Sequence, residues 1–176
     1  MRAILSVFAL LLLFSVTVAE AQTHKAPARA APAGAPKELG KYEDWIAATH
    51  EESGQPVCYA FVRAHSSVPV VAGRGDVVLT VTERQIGRDA VAISAGFAYA
   101  AGADVLVQVD RTGLHFYTAG RNAFARDGAA AVAAMLKGRE AIARSPGPRG
   151  TQVTDTFSLR GFDKAYAAIV KACPPK

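Results

Sequence analysis

Between Asp76 and Glu83 the chain reads DVVLTVTE, which places Val77, Leu79 and Val81 on one side of the backbone and Val78, Thr80 and Thr82 on the other. A period of two does not fit a helix, so this stretch is a strand with one face turned to a core. The pattern recurs from Ala90 to Tyr99, where Val91, Ile93, Ala95, Phe97 and Tyr99 alternate with Ala, Ser or Gly. Such small residues imply that something approaches the second face closely. Val105, Val107 and Val109 make a third strand, and Asp110-Arg111-Thr112-Gly113 offers a short hairpin with Gly113 at the position requiring positive φ, returning as Leu114 to Thr118. Weaker alternation predicts further strands from Trp45 to Thr49, Val57 to Arg63, Ala141 to Ala143 and Thr151 to Leu159.

Two helices interrupt this pattern. One is predicted from about Gly128 to Lys137, with Asp127 as N-cap, Val132, Met135 and Leu136 on one face and Gly138 as the stop. The other runs from about Phe162 to Ala172, and Phe162, Tyr166, Ile169 and Cys173 fall on a single stripe. Many short strands with few helices predict a mainly β domain, a β-sandwich with two short α-helices in its C-terminal half.

The N-terminus predicts export. Arg2 precedes an uncharged run from Ala3 to Ala19 that ends in Ala19-Glu20-Ala21, the basic, apolar and small-x-small order of a secretory signal over residues 1–21. The run is short for a membrane span of ~20 residues, so cleavage after Ala21 leaves a mature chain with no transmembrane segment. Residues 22–38 hold Pro27, Pro32 and Pro36 among alanines and read as a flexible tether, which leaves residues 39–176 as the folded unit. The expected location is the bacterial periplasm, the outer surface or the medium.

In an oxidising compartment two cysteines form a disulfide where geometry allows. Cys58 lies in the predicted strand QPVCYAFV and Cys173 on the apolar stripe of the last helix, so both face inward and are expected to join. The alternative, a redox or metal pair, lacks CxxC spacing.

Catalytic and metal signals are thin. His24, His50, His65 and His115 form no HxH, HExxH or HxxxH arrangement, so neither a metal nor a cofactor is expected, although His50 and His65 could converge in space. Ala92-Ile93-Ser94-Ala95-Gly96 followed by Asp110 and His115 imitates the order of an α/β-hydrolase, but Ser94 lies inside a strand pattern and not at a strand-to-helix elbow. Asp155 lacks the second carboxylate that acid–base work needs. Arg74-Gly75-Asp76 spells an integrin-type tripeptide at what reads as the entry to a strand. No catalytic residue is assigned.

Charge is unevenly distributed: residues 38–120 carry six cations and ten anions, whereas 121–176 carry ten cations and four anions. A basic C-terminal third suits an anionic envelope or host-surface component, while export and the lack of aromatics among the cations argue against nucleic acid.

From Tyr42-Glu43-Asp44-Trp45 and Cys58-Tyr59-Ala60 onward the chain resembles the invasion-associated locus B family of bacterial envelope proteins. Gly75 to Thr82, Ala133 to Gly138, Arg149-Gly150-Thr151, Asp155 to Phe162 and finally Cys173 continue the resemblance, from about Leu39 to Cys173. The resemblance implies an immunoglobulin-like sandwich, export, no catalytic residue and, in some relatives, a part in entering host cells. It marks Asp44, Trp45, Arg149, Gly150, Asp155, Thr156, Gly161 and Phe162 as structural positions: Trp45 in the core, Gly150 and Gly161 in turns, and Asp155 with Thr156 bonding backbone near a chain reversal. The expected activity is therefore non-catalytic interaction at the envelope or cell surface. A periplasmic small-ligand binder or enzyme with a loop-built site is the alternative.

Overall fold

The computed structural model describes residues 34–175; the signal segment, most of the tether and His24 lie outside the described residues. In chain order the elements are β1 (Lys37–Tyr42), β2 (Trp45–Glu52), β3 (Gln55–Arg63), β4 (Ser66–Val68), β5 (Val78–Glu83), β6 (Ala90–Ser94), β7 (Asp104–Val109), β8 (Thr112–Ala119), β9 (Asn122–Ala125), α1 (Gly128–Met135), β10 (Glu140–Pro146), a 3-10 turn (Pro148–Gly150), β11 (Gln152–Ser158) and α2 (Phe162–Ala172). The strands join antiparallel in the order β1-β2-β3-β5-β6-β9-β8-β7-β10-β11-β4.

The order ends on β4, which directly continues β3. Ala64 N still donates to Val77 O at the entry to β5, but His65 N donates to Thr156 O in β11. One run of chain thus pairs with β2 and β5 near one end of the sheet and with β11 at the other, so the sheet doubles over into a mainly β, sandwich-like body. The inward rows of alternating residues meet in one core: Cys58, Ala60 and Val62 of β3, Leu79 and Val81 of β5, Val105, Val107 and Val109 of β7, and Phe157 of β11. Helix α2 packs on β1, β2, β3 and β5 through Phe162, Ala165 and Ile169, all fully buried.

Several expectations shift by a few residues. The strand expected through Tyr99 stops at Ser94, because Gly96 turns with φ +74° and lies so close to Gly75 O that a Cβ there would collide with it. In the β7–β8 hairpin the positive φ falls on Asp110 (49°), and Gly113 is an ordinary strand residue opposite Gln108. Gly138 does follow α1, but with no left-handed φ: it is small because a Cβ would run into the Val109 side chain. Asp127 caps α1, its Oδ1 accepting from Ala130 N at 2.9 Å. Chain pairing begins at Lys37, two residues before Leu39.

Candidate functional site

Cys58 and Cys173 form a disulfide, with Cα atoms 5.9 Å apart and a sequence separation of 115. Both are buried, and the bond fastens the end of α2 to β3.

At the other end of α2, two distant stretches lock together. The β1–β2 turn carries Glu43, at φ 53°, and Asp44; the exit of β11 carries Ser158, Arg160 and Gly161. Ser158 Oγ donates to Asp44 Oδ2 at 2.7 Å, Arg160 Nε donates to Glu43 Oε2 at 3.2 Å, and Trp45 Nε1 donates to Ser158 O at 3.0 Å. The Trp45 and Phe162 rings meet at 4.7 Å. Gly161 starts α2 at φ 81°, and a Cβ there would strike Tyr42 O. Gly161→Ala therefore combines a left-handed φ costing ~1–2 kcal/mol with a backbone collision. Thermal unfolding of this variant is expected to show a drop well beyond that of a surface substitution.

Beside this junction opens a groove of about 970 Å³. The β1–β2 hairpin supplies Lys41, Glu43 and Asp44; β2 and β3 give an apolar floor of Ile46, Phe61 and Val62; Arg63, Ala64, His65, Asp110, Arg139, Glu140, Ser158 and Arg160 complete it. Arg160 is held by Glu43, Arg63 by Asp76 at 3.2 Å, and His65 Nε2 lies 3.7 Å from Glu140. Among the described residues Lys41 and Arg139 have no carboxylate within ion-pair distance. The groove can hold a polar partner of mixed charge through long exposed side chains over an apolar floor.

Two buried carboxylates lie elsewhere. Asp155, 2% exposed, is mid-strand and inward, and it bonds side chains in place of the expected backbone: Arg74 Nη1 and Nη2 at 2.8 and 2.7 Å, and Ser67 Oγ at 2.7 Å. Arg74 also donates through Nε to Ala95 O at 2.6 Å and lies 4.8 Å over the Phe97 ring. Its guanidinium is thus withdrawn from the surface, which overturns the integrin-type reading of Arg74-Gly75-Asp76. Thr156 pairs in register with Ser66 and Ile142, and Arg149 and Gly150 sit at positive φ in the exposed turn before β11.

Glu83 is fully buried and stands opposite Cys58. Its Oε2 lies 2.7 Å from Arg88 Nη2, its Oε1 accepts from Asp89 N at 3.2 Å, and Arg88 reaches Cys173 O at 2.9 Å. Tyr166 OH on α2 donates to Asp89 Oδ1 at 2.6 Å. Burial, then the neighbouring Asp89 carboxyl, push Glu83 up to about 7 from 4.5 despite the pull of Arg88. Burial followed by the same Asp89 raises the Tyr166 hydroxyl, and burial raises Tyr99. The folded chain then keeps the Glu83 proton up to about pH 7, whereas the unfolded chain releases it near 4.5, so this group makes stability fall as pH rises across that window. Urea midpoints at pH 5 and 8 are expected to show that fall in the parent and a smaller one in Glu83→Gln; an equal slope in both would assign it to other groups.

The remaining sequence candidates stay apart. Ser94 is in register with Asn122, whereas His115 lies beside Arg126, four residues or ~13 Å farther along β9 and β8. His115 is exposed. His50 pairs in register with Val57 near the start of β3, while His65 lies past its end. The sequence pattern does not announce Glu83, Arg88, Asp89 or the groove, and it offers Arg74 only within the integrin-type tripeptide. One available signal was the inward phase itself, since Glu83 follows Val77, Leu79 and Val81, and Asp155 lies between Val153 and Phe157.

A model of the invasion associated locus B (IalB) family matches residues 45–170. The chain belongs to this family. The crystal structure of invasion associated protein B from Bartonella henselae is similar in fold to this IalB-family chain, with TM-score 0.55 and 19% identity over 76% of this chain and 95% of that one. No curated protein sequence matches the chain. Among the described residues of this IalB-family protein, no helix is long and apolar enough to cross a membrane.

Proposed function

We propose that this IalB-family chain is exported, loses residues 1–21, and works as a non-catalytic envelope or surface protein that binds its partner, an envelope or host-surface component, at the groove of mixed charge. The observation that carries the reading is the buried Cys58–Cys173 disulfide, a bond that persists in oxidising compartments, in a chain whose first residues have the order of a secretory signal. Residues 22–36 serve as the tether of a folded domain that begins with β1 at Lys37. Binding over catalysis is supported by the placement of Glu83, Tyr99 and Tyr166, the groups with raised pKa, in packed clusters outside the groove. A role in host-cell association follows the name of the Bartonella relative and is part of the proposal.

A photo-crosslinker replacing Arg139 in intact cells is expected to capture a distinct partner that a crosslinker at the exposed α1 residue Ala129 does not. Identical products from both positions would remove the groove from the account. The volume of the groove favours a second reading, a small-ligand binder, because 970 Å³ falls within the range of such sites. Native mass spectrometry showing a retained small molecule would favour that reading.

A further inference from the structure

Among the described residues strand β1 stands at one end of the sheet order with β2 as its one neighbour, so the backbone N–H and C=O groups of its other edge have no strand partner there. A bulge between Glu38 and Gly40 interrupts its register, and Leu39 is left to pack against the core. Along this edge runs a groove of about 470 Å³ between β1 and α2, floored by Leu39, Tyr42, Ala168 and Ala172 and rimmed by Lys164 and Lys171. Neither lysine has a carboxylate partner among the described residues.

An open strand edge flanked by a helix is the geometry in which an extended peptide adds as one more strand, its backbone giving affinity and its alternate side chains specificity. The α2 side is narrow in chemistry: alanines leave room for a medium apolar side chain, and the two lysines select negative charge. Lys164 and Lys171 are seven residues apart, ~10 Å along the helix, which three to four residues of extended chain span at ~3.3 Å each.

We propose that the β1–α2 groove binds an extended acidic segment of a protein partner by strand addition, with an apolar residue over Ala168 and flanking carboxylates on Lys164 and Lys171. This rests on the reading of the chain as a binding protein and assigns it a second surface, separate from the Arg139 groove. The bulge, Lys37 and Lys41 on β1 are devices that discourage pairing with uncharged strands, and the two lysines outnumber the one acidic residue of the strand, Glu38.

The probe is a labelled hexapeptide with glutamate at positions one and five, valine at three and threonine elsewhere, followed by fluorescence anisotropy with the purified chain. Binding that falls with salt and weakens at least tenfold in Lys164→Glu/Lys171→Glu is expected, as is loss of binding in Ala167→Trp, an exposed position that plugs the groove. Slower amide exchange in residues 37–42 and failure of an N-methylated peptide are expected from strand addition. Equal affinity for a lysine-for-glutamate peptide, unchanged binding in both variants, or exchange protection confined to the Arg139 groove would overturn the proposal. So would a concentration-dependent dimer that protects residues 37–42, or binding that appears only after residues 22–33 are removed, since a second copy or the chain's own segment would then occupy the edge. Failure of the peptide while the Arg139 crosslink still captures a partner removes this surface and leaves the binding reading; failure of both removes both.

Discussion

Replacing Cys58 and Cys173 together with alanine is expected to lower the unfolding free energy by about 2–5 kcal/mol, with the chain-entropy model placing loops of this length near ~4.7 kcal/mol. The bond closes 115 residues, which hold most of the strands, so its loss frees the unfolded chain far more than the native one. The effect is also local. Without the bond, the end of α2 is held to the β5–β6 region by Arg88 on Cys173 O and Tyr166 on Asp89. Urea unfolding with and without reductant reads both: the parent under reductant and the double variant are expected to coincide at the lower midpoint. A midpoint unmoved by reductant, with the thiols shown to be free, would mean that the helix is fixed by packing alone.

Arg74→Ala is expected to cost about 3–5 kcal/mol, because it leaves the buried Asp155 carboxylate without its counter-charge. The arginine makes three donor contacts at 2.6–2.8 Å, two to Asp155 and one to Ala95 O, and it is the side chain that joins the entry to β5, the end of β6 and β11. Arg74→Lys keeps the charge but lacks the planar fork and the Nε contact, so it is expected to recover only part of the loss. Arg74→Met with Asp155→Leu removes both charges and is expected to lie well above Arg74→Ala in stability, although Ser67 then loses its acceptor. A denaturant series of these three variants tests the assignment. Single substitutions that cost less than ~1 kcal/mol would show that water reaches the pair.

How far each element was legible depended on whether one face was uniformly apolar. In β5 the inward Val–Leu–Val phase leaves only one register, and α2 is exposed by the Phe162, Tyr166, Ile169 and Cys173 stripe. Strand β1 hides because its bulge puts Leu39 and Tyr42 three residues apart, which breaks the alternation. Strands β4 and β9, with three and four residues, are too short to show a period. The apparent end of β6 was misread since the turn at Gly96 is set by the approach of Gly75, a contact made across the fold. The same holds for both grooves: the junction of Asp44 with Ser158 joins residues 114 apart, and no local pattern announces it. Asp44, Trp45, Gly161 and Phe162 were nonetheless marked together by family resemblance, and the geometry gives the reason, because all four belong to that one junction.

Export and closure by one crosslink are tested most directly by intact mass of the chain recovered from its native cells, alkylated before and after reduction. A chain beginning at Gln22 that takes up no alkyl group until reduced, and then two, is the predicted result. A retained Met1, or two groups added before reduction, would contradict it.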